Sequence, residues 1–81
     1  MNIYINFNGI KSLADARRWL EQTKQPCTIR INGTFYRFYQ MRVFEVLQCG
    51  YVCADVEVAS YDEAVKWVYK QRKSINEYMN A

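Results

Sequence analysis

The chain contains no histidine, which removes the commonest general base from any catalytic scheme. A serine or cysteine nucleophile needs a base within hydrogen-bond reach and a group that orients the base. Neither a Cys–His nor a Ser–His pair can be assembled here. Cys49 and Cys53 are separated by three residues across an expected turn. They lack the two-residue spacing of a redox motif and the further ligands of a zinc site, so they read as small hydrophobic residues beside a hairpin. Asp55 and Glu57 lie two apart on one expected strand. A general acid would require one of them to be desolvated. Arg30 and Arg37 are expected on the same sheet face, so cross-sheet ion pairs are the expected fate of these carboxylates. Gly9, Gly33 and Gly50 are scattered, and no phosphate-cradling loop results. No catalytic residue, metal site or cofactor is expected, and the chain reads as non-enzymatic.

What remains is chemistry of contact. Seven tyrosines raise the aromatic fraction to 16%, and Tyr and Arg are the residues enriched in interface hot spots. The net charge is only +3, from 11 Lys and Arg against 8 Asp and Glu. That balance permits contact with nucleic acid or with an acidic protein but demands neither, since duplex binders usually carry a stronger and more clustered excess. Lys66, Lys70 and Lys73 repeat at helical spacing and form a candidate electrostatic stripe. Glu63 and Glu77 bracket them, so the same lysines also fit the solvated face of an amphipathic helix. Trp67 sits beside the stripe and would be a natural anchor if exposed.

Eighty-one residues, 51% of them hydrophobic, make one domain spanning 1–81 with a small core. No apolar run approaches the ~18–20 residues of a membrane span. The first residues, Met1-Asn2-Ile3-Tyr4, lack the basic and apolar regions of a signal peptide. Three cysteines, Cys27, Cys49 and Cys53, cannot all pair within one chain. Together these features point to a cytoplasmic protein with free thiols.

The elements follow from periodicity. Residues 2–8 alternate, with Ile3, Ile5 and Phe7 opposite Asn2, Tyr4 and Asn6, as in a strand with one buried face. Ser12 opens a helix through a Ser-x-x-Asp variant of the capping box. Leu13, Ala16, Leu20 and Thr23 form its apolar stripe, Trp19 flanks it, and Pro26 stops it near Lys24. Asn32-Gly33 is the preferred pair for a two-residue type I′ hairpin. That turn places Ile29, Ile31, Tyr36 and Phe38 on one face and Arg30, Phe35, Arg37 and Tyr39 on the other. Residues 41–47 continue the same strand or follow a short break. A further turn lies at 48–50. A three-residue loop there would put Val52, Ala54, Val56 and Val58 on the face of Phe44 and Val46, whereas a two-residue loop would put Asp55 and Glu57 there. Burying valines favours the first. Ser60-Tyr61-Asp62-Glu63 is a full capping box, opening a helix from 61 to about 78 with Ala64, Val65, Val68, Ile75 and Met79 inward.

The expected order is β-α-β-β-β-α, a two-layer α+β sandwich with a four-stranded, mainly antiparallel sheet and two helices on one face. Its open face would carry Tyr4, Arg30, Phe35, Arg37, Tyr39, Met41, Val43, Tyr51 and Cys53. Contiguous aromatic surface of this kind marks a binding site, and Arg30, Phe35, Arg37, Tyr39 and Tyr51 are its expected partner-binding residues. The expected activity is stoichiometric contact with another protein or a nucleoprotein complex, as an inhibitor or regulator. Its most concrete form is a phage-type blocker of a bacterial defence complex, such as an anti-CRISPR. Two alternatives use the same face: single-stranded nucleic-acid binding by stacking and phosphate clamping, and a homodimer whose open faces pack together. The α-β-β-β-α order after the first strand is also that of a double-stranded-RNA-binding domain. There the last helix begins with lysines, whereas Tyr61-Asp62-Glu63 would repel phosphate.

Overall fold

A computed structural model describes residues 9–23 and 25–79, so the expected strand at 2–8, with Tyr4, lies outside the described residues. The described elements are α1 (Leu13–Gln22), β1 (Cys27–Ile31), β2 (Thr34–Tyr39), β3 (Arg42–Cys49), β4 (Val52–Ser60), α2 (Tyr61–Lys70) and α3 (Arg72–Met79). The four strands form one antiparallel meander in the order β1-β2-β3-β4, and the helices make the second layer of an α+β sandwich.

Two of the three hairpin turns follow from which residues hold positive φ readily. Asn32 and Gly33 take φ of 51° and 84°, and Ile31 pairs with Thr34, as the type I′ signature dictates. The next turn lacks such a signature. Tyr39 pairs with Arg42, and Gln40 and Met41 between them adopt φ of 54° and 59°, a left-handed pair without glycine or asparagine. The stretch 34–47 is therefore two strands. The third turn is also shorter than expected. Cys49 pairs with Val52, so the loop is Gly50-Tyr51, with Gly50 at φ 63° supplying the positive-φ first position of a type II′ turn. This register sets Asp55 opposite Val46 and Glu57 opposite Phe44, which corrects the three-residue loop expected above.

The helix-side face carries Ile29, Ile31, Phe38 and Val43, all buried, and they meet Trp19 and Leu20 of α1, Val65 and Val68 of α2, and Ile75 of α3. Trp19, expected to flank the helix stripe, is 1% exposed. Its ring meets Phe38 edge-on, with centroids 5.1 Å apart. Ala16 and Ala64 are both fully buried, small residues that let α1 and α2 approach closely.

The helix starts differ in mechanism. Ser12 accepts a hydrogen bond from the Asp15 N–H at 3.2 Å, and Asp15 accepts from the Lys11 N–H at 3.0 Å, the reciprocal pairing of a capping box shifted by one residue. Ser60 makes no such side-chain bond, so the expected Ser60–Glu63 box is not formed. Instead β4 runs straight into α2 through Tyr61 at φ 52°. The Tyr61 N–H donates to the Met41 carbonyl at 2.6 Å, and the Arg42 guanidinium lies 5.9 Å from its ring. Those contacts hold a backbone conformation that costs roughly 1–3 kcal/mol for a non-glycine residue. The last helix also breaks, at Gln71. The Arg72 side chain donates to the Tyr69 carbonyl at 3.0 Å and its guanidinium lies 4.2 Å from the Tyr69 ring, satisfying an acceptor at the break.

Asn76 on α3 clamps the approach to α1. Its Oδ1 accepts from the Ile10 N–H at 2.7 Å, and its Nδ2 donates to the Ile10 carbonyl at 3.1 Å. One side-chain amide thus replaces a strand neighbour for a backbone segment whose side chain is 2% exposed. Asn76→Ala is expected to lose about 1–3 kcal/mol, because it strands two backbone groups. A urea titration would show this as a lower midpoint. An unchanged midpoint would mean that water replaces the amide without loss.

Candidate functional site

No described element covers the sheet face opposite the helices. Arg30 and Phe35 stand directly across from each other on β1 and β2. The guanidinium lies 5.7 Å from the ring centroid, within cation–π range. Both are exposed, Phe35 at 48%. Arg37 reaches across β3 to β4, where its Nη1 donates to both carboxylate oxygens of Asp55 at 2.9 and 2.8 Å, while its Nε donates to Thr28 Oγ1 at 3.3 Å. Arg42 Nε lies 3.5 Å from Glu57 Oε1. The Tyr39 ring stacks on Phe44 at 4.7 Å and 19°, and Phe44 is only 8% exposed although it lies on this face.

Arg30, Phe35, Arg37 and Tyr39 therefore share one surface as the Asn32-Gly33 turn required. Tyr51 does not join them: it sits in the Gly50-Tyr51 turn at the tip of the β3–β4 hairpin, fully exposed. Met41 is in the preceding turn and Val43 is 0% exposed on the helix side. Their expected places on the open face are corrected to Arg42, Phe44 and Val46, which the unanticipated turn at Gln40-Met41 brings round. No local signal marks that turn. Asp55, Glu57 and Cys53 keep their open-face positions.

The electrostatics of the face are nearly balanced. Arg37 and Arg42 each face a carboxylate, Asp55 and Glu57. Partly exposed pairs of this kind contribute on the order of 1 kcal/mol or less, and they restrain the side chain of Arg37, the cross-strand partner of Phe44. Neither carboxylate occupies the desolvated, unpaired setting of a general acid.

The thiols of the β3–β4 hairpin are held apart. Cys49 pairs with Val52 and Gln48 with Cys53, so alternation puts the Cys49 and Cys53 side chains on opposite faces of the hairpin, where they cannot bond to each other. Burial pushes the Cys27 thiol above its ordinary value. At neutral pH, iodoacetamide is expected to modify exposed Cys49 and Cys53 well before Cys27, because the thiolate is the reacting species. Peptide mapping over time checks the order. Among the described residues, no cluster of Cys, Asp or Glu could hold a metal ion.

Lys66, Lys70 and Lys73 are exposed, but the break at Gln71 divides them between α2 and α3. Trp67 is not an exposed anchor. It packs between layers, 4.8 Å from Tyr36 and 5.8 Å from Phe38. An open groove of about 530 Å³ between α1 and α2 is lined by Leu13, Arg17, Arg18, Asp62 and Lys66 among others, and the Arg17–Asp62 ion pair at 2.7 Å spans it.

No described helix is long and apolar enough to cross a membrane. Four strands, not three, follow α1, so the element order of a double-stranded-RNA-binding domain is not met. No protein-family model matches the chain, and neither a curated protein nor a solved structure is significantly similar to it.

Proposed function

We propose that the protein acts without catalysis, by stoichiometric contact with another protein, as an inhibitor or regulator. The observation that carries this reading is the sheet face that no described element covers, where exposed Phe35 lies against Arg30 and the stacked Tyr39–Phe44 pair lies further along the same face. An exposed aromatic ring held by a cation suits a preorganised hot spot: less side-chain freedom remains to be lost on binding. The face carries Arg30, Arg37 and Arg42 against Asp55 and Glu57, close to neutrality. That balance suits a protein surface better than a polyanion, which would compete with the two carboxylates for the arginines.

A cytoplasmic protein or nucleoprotein complex is the expected kind of target, and a phage-type block on a bacterial defence complex, such as an anti-CRISPR, is the most concrete form of the proposal. Affinity capture from host lysate tests it, run with and without nuclease and read by mass spectrometry. The expected result is a target that survives nuclease, binds the purified chain in fixed stoichiometry and is lost with Phe35→Ala. Capture that disappears with nuclease, or that weakens steeply with salt, would transfer the face to nucleic-acid binding.

A further inference from the structure

Beyond the sheet face, the β3–β4 hairpin projects as an arm. Leu47, Val52, Val56 and Val58 along it are 41–67% exposed. β4 is one outer strand of the sheet among the described residues. Over Val52–Val58 its sequence is Val-Cys-Ala-Asp-Val-Glu-Val, with no proline or lysine; its guards are the carboxylates Asp55 and Glu57, on the open-face side, and an irregularity at Val58, at the base of the arm. The other outer strand, β1, is five residues long and meets α3, as β4 meets α2. The Cys49–Val52 pair closes a two-residue turn, so it is a hydrogen-bonded pair, and the alternation of an antiparallel ladder turns the backbone groups of Cys53, Asp55 and Glu57 outward.

We propose that this edge pairs antiparallel with β4 of a second copy, across a two-fold axis through Ala54, joining two sheets into one. An antiparallel pair related by such an axis keeps the open faces on one side and the helices on the other. Charge selects the register. An axis through Asp55 would oppose Asp55 to itself, one through Val56 would oppose Asp55 to Glu57, and one through Glu57 would oppose Glu57 to itself, each a like-charge pair. An axis through Cys53 avoids those clashes but shortens the overlap. The axis through Ala54 sets Cys53 opposite Asp55, Tyr51 opposite Glu57, and Val52 opposite Val56, so apolar meets apolar on the helix side. The outward groups of Cys53 and Asp55 then bond each other. The tip of each arm also comes to lie beside the base of the other, where α2 begins. The arrangement leaves the Arg30–Phe35 face free and does not depend on the function proposed for it.

Sedimentation equilibrium of the purified full chain should give twice the monomer mass of 9.7 kDa. Cys53→Pro removes an outward N–H and no β3 bond, so it should give a folded monomer with an unchanged circular-dichroism spectrum. With Cys49 and Cys53 replaced by serine, Ala54→Cys should form a disulfide-linked dimer on mild oxidation. The two residues would face each other as a non-hydrogen-bonded pair with Cα atoms about 4.5 Å apart. Val56→Cys in the same background should not cross-link. A wild-type monomer overturns the proposal, as does a dimer that survives a folded Cys53→Pro chain. Cross-linking at position 56 in place of 54 overturns the register. Should Cys53→Pro disturb the fold, the cross-linking pair decides alone.

Discussion

Truncating Phe38 to alanine is expected to leave little folded protein at 37 °C. Its side chain is 0% exposed and lies between the two tryptophans, 5.1 Å from Trp19 and 5.8 Å from Trp67. It is the point where β2 meets both α1 and α2. A buried Phe→Ala change costs about 3–5 kcal/mol, from lost transfer energy plus the cavity left behind. A chain of this length holds only roughly 4–12 kcal/mol in total, at 0.05–0.15 kcal/mol per residue. Phe38→Leu keeps most of the volume and should cost less than about 1.5 kcal/mol. Urea unfolding followed by tryptophan fluorescence reads both variants, since both indoles touch the ring. A Phe38→Ala loss below about 1 kcal/mol would mean that the helix layer does not rest on the sheet at this point.

Phe35→Ala should behave in the opposite way. Phe35 lies on the same strand as Phe38 but on the other face, and it is 48% exposed. Its removal should shift folding stability by about 0.5 kcal/mol or less, as surface substitutions usually do. Affinity for the partner should fall by 30-fold or more, the equivalent of about 2 kcal/mol lost from a hot spot. Titration calorimetry with the captured partner measures the second effect, and the urea curve controls for the first. Equal affinity in the Phe35→Ala chain would remove the sheet face from the binding site. The two phenylalanines thus separate what the strand does for the fold from what it offers to a partner.

That separation was readable from sequence because Asn32-Gly33 is a strong turn signal, and the turn sets which of the flanking residues share a face. The Arg37–Asp55 pairing followed from the same logic of opposite charges on one face. The next turn was not readable. Gln40 and Met41 have no preference for the left-handed region, and tertiary packing imposes it on them, with Met41 packed against the core and its carbonyl accepting from Tyr61. An unseen two-residue turn reverses the facing of every later residue, which is why Val43 is buried and Phe44 is not on the helix side. The third turn was also one residue shorter than expected, and that reverses the facing again. Asp55 and Glu57 consequently lie where they were expected, through two compensating shifts. The uncapped start at Tyr61 has the same cause, a contact with distant Met41 that no local pattern encodes. The break at Gln71 is met locally, by the Arg72 side chain on the Tyr69 carbonyl three residues back.

The Asn76 clamp bears on the order in which the chain folds. The meander joins neighbours in sequence, so its three hairpins close short loops and can form early. The bonds between Asn76 and Ile10 span 66 residues, the longest loop closure described, and its entropy is repaid only once α3 is docked. A contact of that kind is expected to form after the folding barrier. Asn76→Ala should accordingly hasten unfolding and leave the refolding rate almost untouched, so that the clamp sets how long the native state lasts and not how fast it is reached.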